Sequence, residues 1–331
     1  MTEHATDVLV LGAGVIGLTT AVCLAEDGLA VAIRTGHLPA QTTSAAAGAI
    51  WGPHLVEDSD RVRRWCAETL DVLAGLAGEP AAGIRLVSGT EAARSPAARP
   101  GQAGPLAAFG EISPSPPGSL PPGFAAGWRY TAPVVDMPAY LGYLLGRFRR
   151  AGGEVQVSPV RTLGQAAAET GAPVIVNCTG SGAHALVPDP SLTPVRGQVV
   201  IAENPGLTEF FIGLPDAAHE ISYLFPHDGR VVLGGTEVSG DWSTEPRPET
   251  AHRILRDCAA IEPRLDGARI LEHRCGLRPV RPQVRLEAEP AGTAPGPAGR
   301  LLVHNYGHGG GGVTLSWGCA REAARLARQR A

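Results

Sequence analysis

Apolar positions at the start of the chain change from strand-like to helix-like spacing and back within the first 34 residues. Residues 7–11, DVLVL, form a short apolar run leading into GAGVIG, and residues 15–27 then carry apolar side chains at helical spacing as far as Gly28. That pattern predicts strand, turn, helix and a glycine stop. The run LAVAIR at 29–34 follows at once and completes a βαβ unit. Residues 42–52, TTSAAAGAIWG, are too small and glycine-rich for an interior helix and predict a loop laid against something flat.

Residues 61–77 predict a helix, as do residues 137–153, which place arginines in the last turn and Gly-Gly as the stop. Between them, residues 94–122 are rich in Pro and Gly without periodicity, which predicts a long surface excursion. PVIVNCTG at 173–180 reads as a buried strand returning to the first sheet. Residues 196–203, 223–226 and 230–237 read as strands of an antiparallel sheet, and 248–263 as a helix. Residues 301–330 give a strand, a glycine loop and a helix, and no internal repeat is present. Sheet-and-helix signals thus open the chain and return twice, while strand-rich signals fill the gaps. The expected class is α/β: a dinucleotide domain of residues 1–52, 137–190 and 270–331, and a second domain of 53–136 and 191–269.

Composition narrows the chemistry. The 331 residues, 44% apolar and 18% charged, suffice for two joined domains. All 28 basic residues are arginine. Without lysine, a Schiff base to pyridoxal phosphate or a carbonyl substrate is excluded, and so is a Walker A lysine. A net charge of −4 with scattered arginines gives no basic stripe, so nucleic acid and anionic membrane are set aside. Six well-separated cysteines without a CxxC pair read as reduced core residues. The N-terminus has no basic, apolar leader and the C-terminus no peroxisomal tripeptide, so the expected location is cytoplasmic. A homodimer is left open.

Gly12, Gly14 and Gly17 form GxGxxG between a predicted strand and helix, where a tight turn lets backbone approach a pyrophosphate at the helix N-terminus. The alternative is an incidental glycine-rich turn. The acidic residue expected at the end of the second strand is missing, and Arg34-Thr35-Gly36 stands there instead. Arginine at that place keeps an NADP enzyme open. Near the C-terminus, four glycines, Gly309, Gly310, Gly311 and Gly312, precede a helix, so backbone can approach a flat ring and the helix start can face developing negative charge. His304 and His308 are not expected to hold a metal, because glycines break any helix that would align them and no carboxylate completes a site.

HNYGHGGGGVTLSWG, taken with LGAGVIGLTTA, TTSAAAGAIWGPH, NCTG, RGQ and GLRPVRPQVRLE, resembles the D-amino acid oxidase family of flavoenzymes over about residues 6–325. The resemblance implies a GR2-type fold, with a Rossmann-like FAD-binding domain, an antiparallel-sheet substrate domain and non-covalently bound FAD. It implies oxidative deamination of a D-amino acid, with hydride transfer to flavin N5, an imino acid that hydrolyses to a 2-oxo acid and ammonia, and dioxygen reduced to hydrogen peroxide. By the same resemblance Arg278 holds the substrate α-carboxylate, the Tyr223 hydroxyl donates to it, and the Gly310 carbonyl accepts from the amine. FAD contacts fall on Gly12, Ala13, Gly14, Val15, Ile16 and Gly17, on Arg34 and Thr35, and on Thr42, Thr43 and Ser44. They continue through Gly48, Ala49, Ile50, Trp51 and Gly52, then Val160, Thr179, Gly180 and Arg278. The C-terminal set is Gly309, Gly310, Gly311, Gly312, Val313 and Thr314.

Read without the motif, Arg278, Arg281 and Arg285 would be solvated or salt-bridged surface residues, Tyr223 a core residue and His54 a loop residue, although His54 also stands near the expected flavin loop. Two departures bear on the substrate pocket. His219 replaces a lid tyrosine of vertebrate-type members, and Glu237 replaces an arginine of the acidic-substrate branch. A carboxylate at 237 repels D-aspartate, so the expected substrates are neutral to basic. D-aspartate or glycine oxidation are alternatives within the family. An NAD(P) dehydrogenase or a non-catalytic flavoprotein are alternatives outside it.

Overall fold

In the computed structural model, residues 6–98, 104–116, 118–289 and 299–329 are described. β1 (Val8–Leu11) is buried at every position, as a run of four apolar residues must be in a sheet covered on both faces. It turns into α1 (Val15–Glu26), and β2 (Val31–Thr35) returns parallel to it with Arg34 opposite Leu11. α2 (Asp60–Leu76) starts at Ser59, whose Oγ accepts from the Val62 amide at 3.3 Å. β3 (Ile84–Ala93), β4 (Ser113–Pro114), β5 (Ala126–Val135) and α3 (Met137–Arg150) follow. Next come β6 (Glu154–Val157), α4 (Leu163–Thr170), β7 (Val174–Asn177) and the short α5 (Ala183–Leu186). β8 (Thr193–Glu203), β9 (Phe210–Gly213), β10 (Ser222–His227), β11 (Arg230–Gly234) and β12 (Val238–Ser239) lead to α6 (Pro248–Ile261). The chain closes with β13 (Ile270–Glu289), β14 (Leu301–His308) and α7 (Gly312–Ala327).

The strands form one sheet in the order β4-β5-β3-β9-β10-β11-β8-β13-β14-β7-β1-β2-β6, with β12 beside β8. The end β14-β7-β1-β2-β6 is wholly parallel. The other end is antiparallel except where β3 runs parallel to β9. β13 joins them, pairing antiparallel with β8 along one edge and with β14 along the other. On one face of the parallel end, Leu18 and Val22 of α1 share a core with Leu315 and Trp317 of α7. On the other, Leu163 of α4 and Ala183 of α5 pack with Leu9, Leu11, Ile175 and Tyr306. No helix among the described residues is long and apolar enough to cross a membrane.

The structure adds seven strands to those the hydrophobic pattern predicts: β3, β4, β5, β6, β9, β12 and β13. The pattern of β13 is obscured for an identifiable reason. β13 reads ILEHRCGLRPVRPQVRLEAE, whose prolines signal a break. The structure accommodates Pro282 inside an interruption of the β13–β14 ladder between Val280 and Arg285. Part of the 94–122 excursion lies outside the described residues, and the remainder holds β4 and a 3₁₀ turn over Gly104–Phe109.

Candidate active site

A cavity of about 770 Å³ runs from the β1–α1 turn to the β10–β11 hairpin, within the range that small-molecule and cofactor sites occupy. At its first end the glycine turn is built by close packing. A side chain on Gly12, whose φ is +102°, would lie 2.6 Å from the Cys178 carbonyl oxygen, and one on Gly17 would lie 2.0 Å from the Gly12 oxygen. The Val15 amide, at the start of α1, donates to Ser44 Oγ at 2.9 Å, which draws the 42–46 segment over the helix N-terminus. Arg34 lines the cavity while buried, with Nη2 donating to Ser158 Oγ at 3.0 Å and Nη1 paired with Glu169. Gln165 and then Arg34 hold the Glu169 carboxyl below its ordinary range. A guanidinium already faced by a carboxylate is a poor receptor for a 2′-phosphate, which weighs against the nicotinamide alternative.

In the middle, residues 48–52 are stitched to β5. The Val135 amide donates to the Ala49 carbonyl at 2.8 Å and the Trp51 amide to the Pro133 carbonyl at 2.9 Å. Thr314 Oγ1 accepts from the Gly52 amide at 3.1 Å and donates to its carbonyl at 2.9 Å, joining that loop to the first turn of α7. The C-terminal glycines are equally fixed. The Gly310 amide donates to the His54 carbonyl at 3.0 Å, the Gly309 amide to the Pro279 carbonyl at 2.8 Å, and a Cβ on Gly309 would stand 1.9 Å from the Leu55 oxygen.

At the far end, Tyr223 stacks on Phe225 with centroids 4.6 Å apart and planes 12° apart. Its ring lies so close to Gly48, Gly234 and Gly235 that a Cβ on any of them would approach within 2.8, 2.1 and 3.0 Å of it. Burial raises the Tyr223 pKa against the opposing charge of Arg278, so the hydroxyl stays a donor. Arg278 gives one N–H to the Thr236 carbonyl at 2.8 Å and, among the described residues, pairs with no carboxylate. Glu237 and His54 meet at 2.5 Å between Glu237 Oε1 and His54 Nε2. That bond, and behind it the charge of Arg278, keeps the Glu237 carboxyl below its ordinary range despite partial burial.

Of the expected site residues, Gly17, Gly311 and His219 do not line the cavity. Gly17 serves the packing of α1 on its own turn, Gly311 is the N-cap of α7, and His219 is exposed, with Nδ1 2.8 Å from Asp216 Oδ1. All the others line it, Arg278, Tyr223, His54 and Glu237 together at one end. The sequence reading missed the apolar wall of Ile212, Leu214, Ile221 and Phe225, and the buried Glu91, which accepts from the Tyr130 hydroxyl at 3.0 Å. It also missed Asn305 and His308, which line the cavity and each leave a buried polar atom, Oδ1 and Nε2, without a hydrogen bond. Burial pushes the His308 pKa down to about 3, so its imidazole is neutral. A glycine cradle, a helix start and unsatisfied buried polar atoms along one elongated cavity fit an extended dinucleotide with a flat ring.

Fold and cavity together are those of a dinucleotide-dependent oxidoreductase. Residues 7–326 match the family described as DAO, FAD dependent oxidoreductase, and the chain belongs to that family, with FAD as its cofactor. It is 49% identical over 319 residues to the D-amino-acid oxidase of Rubrobacter xylanophilus, covering 96% of this chain and 95% of that one. With the D-amino-acid oxidase of Streptomyces coelicolor it shares 44% identity over 338 residues, 98% of each chain. Glycine oxidase from Geobacillus kaustophilus has the same fold, with a TM-score of 0.81 at 21% identity over 99% of this chain and 96% of that one.

Proposed function

We propose that the protein oxidises neutral-to-basic D-amino acids to 2-oxo acids and ammonia, with hydrogen peroxide as the reduced product of dioxygen. The observation that carries this reading is Arg278, a cavity-lining guanidinium with no carboxylate partner among the described residues, beside the buried Tyr223 hydroxyl. A planar fork fixes both the place and the rotation of a carboxylate. Arg278 holds the substrate α-carboxylate, Tyr223 donates to it, and the Gly310 carbonyl accepts from the α-amine. Three fixed points define which face of Cα meets the cofactor, and so the hand of the substrate. When bound, FAD supplies acceptance of the α-hydrogen as hydride and delivery of the electrons to dioxygen. The residues that would hold it are the 12–16 turn, Arg34, residues 42–44 and 48–52, and the start of α7. The parallel end of the sheet carries the cofactor and the antiparallel end the substrate. Lysine is not needed at any step.

Glu237 sets the side-chain preference. Ionised and bonded to His54, it opposes a second carboxylate and accepts a neutral or cationic side chain. The test is peroxide release from D-alanine, D-valine, D-arginine and D-aspartate. Turnover of the first three ahead of D-aspartate is expected, and faster turnover of D-aspartate would sink the preference. Arg278→Ala is expected to keep FAD and lose activity.

A further inference from the structure

Beside the segment that carries Arg278, four polar side chains close on one another. The Tyr306 hydroxyl donates to Asp189 Oδ2 at 2.6 Å and accepts from Arg285 Nη1 at 2.8 Å. Arg281 Nε stands 2.9 Å from the same Asp189 oxygen, and both guanidiniums lie 5.8 Å from the centre of the Tyr306 ring. Asp189 and Tyr306 are 6% and 0% exposed, so this is an interior network. Burial pushes the Asp189 carboxyl up, but the Tyr306 hydroxyl and the charges of Arg281 and Arg285 outweigh it and hold the group below its ordinary range.

The place of the network matters more than its strength. Val280 pairs with His308 and Arg285 with Tyr306, so β13 advances 5 residues (285 − 280) while β14 advances 2 (308 − 306). Pairing with β14 is therefore interrupted between the Arg278–Val280 stretch and the C-terminal part of β13, at the bulge opposite the approach to the C-terminal glycines. Side chains span the interruption instead. The stem of Arg281 lies on Gly307, where φ is +85° and a Cβ would come within 2.6 Å of Arg281 Cδ. From there the chain runs directly into Gly309, whose amide bonds the Pro279 carbonyl next to Arg278. Asp189 arrives from the segment after α5, next to cavity-lining Ala185 and Leu186, and ties a third element to the other two.

We propose that Asp189, Arg281 and Tyr306 are positioning residues that fix the Arg278 segment against the C-terminal glycine loop, and thereby the alignment of a bound α-carboxylate with its amine acceptor. This rests on Arg278 being the carboxylate anchor. The test uses Tyr306→Phe, which removes one hydroxyl and keeps the ring, and Asp189→Asn, which removes one charge and keeps the shape. With FAD saturating, kcat/KM for D-alanine is expected to fall about tenfold in Tyr306→Phe and further in Asp189→Asn. KM is expected to carry part of the loss. Binding of propionate, a carboxylate with no amine and nothing to oxidise, read from perturbation of the flavin spectrum, weakens in the same order, and the double variant is no worse than Asp189→Asn alone. A lowered Tm with kcat/KM and propionate binding within twofold of the parent, measured well below melting, overturns the proposal. If Asp189→Asn does not fold, Tyr306→Phe decides. If Arg278→Ala keeps activity and propionate binding, the anchor assignment fails instead.

Discussion

Gly48→Ala places one methyl group where the structure has no room for it. The new Cβ would lie 2.8 Å from Tyr223 Cε2 and 3.0 and 3.1 Å from Phe225 ring carbons. Carbon contacts are comfortable at roughly 3.5–4.0 Å, so the overlap is roughly 0.5–1 Å. The tyrosine ring has little room to retreat, because it is packed so closely on the backbone of Gly234 and Gly235 that an added Cβ there would lie 2.1 Å from its Cζ and 3.0 Å from its Cε1, respectively. Overpacking of this kind costs about 1–3 kcal/mol of stability. If the ring instead tilts, its hydroxyl leaves the substrate carboxylate, and a hydrogen bond to a charged group carries about 1.5–3 kcal/mol. The expected outcome is a fall in kcat/KM of about 10- to 150-fold with D-alanine. The assay is steady-state peroxide release at saturating FAD, with bound flavin quantified in each preparation. A Gly48→Ala enzyme with full flavin, unchanged Tm and kcat/KM within twofold of the parent would refute both the packing argument and the role given to Tyr223.

Thr314→Val removes both hydrogen bonds to Gly52, and the Kd for FAD is expected to rise about 5- to 150-fold in a fluorescence titration of apoprotein, from a loss of about 1–3 kcal/mol. Gly142, in α3, has no atom within 4 Å of an added Cβ, so Gly142→Ala is expected to stabilise the fold by about 0.5–1 kcal/mol, visible as a small rise in Tm. Burial depresses the pKa of His304 and His308 to about 3 and that of His227 to about 4. The unfolded chain binds protons at these sites near pH 6.5 and the folded chain does not, so stability is complete above that pH and is lost as pH falls toward 3. Each such histidine adds up to about 1.4 kcal/mol per pH unit in that window, and the Tm is expected to drop between pH 7 and 5. A flat Tm over that interval would contradict the burial of neutral imidazoles.

Glycines make much of the site legible in the sequence. At 12, 17 and 309 the backbone comes so close to another chain segment that no side chain fits, and that constraint is written directly as residue type. Arg278 was legible through its motif. What stayed hidden depends on partners far apart in sequence. Tyr130 finds Glu91 across 39 residues, and Tyr306 finds Asp189 across 117. Neither pair leaves a local pattern. β13 stayed hidden for another reason. Its arginines and prolines contradict a strand propensity, and only β8 and β14 on its two edges supply the pairing that makes it one. Arg281 and Arg285 show the same limit, reading as surface charges in the sequence and lying half-buried against Asp189 and Tyr306 in the fold.

The central claim is that Arg278, Tyr223 and Gly310 present a D-amino acid to bound FAD. Anaerobic mixing of the purified holoenzyme with D-alanine tests it most directly, with L-alanine and Arg278→Ala run in parallel. The expected result is loss of the visible flavin band with D-alanine, none with L-alanine, and none in the flavin-replete Arg278→Ala variant. A band that persists with every D-amino acid, or that is lost equally with L-alanine or without Arg278, would contradict it.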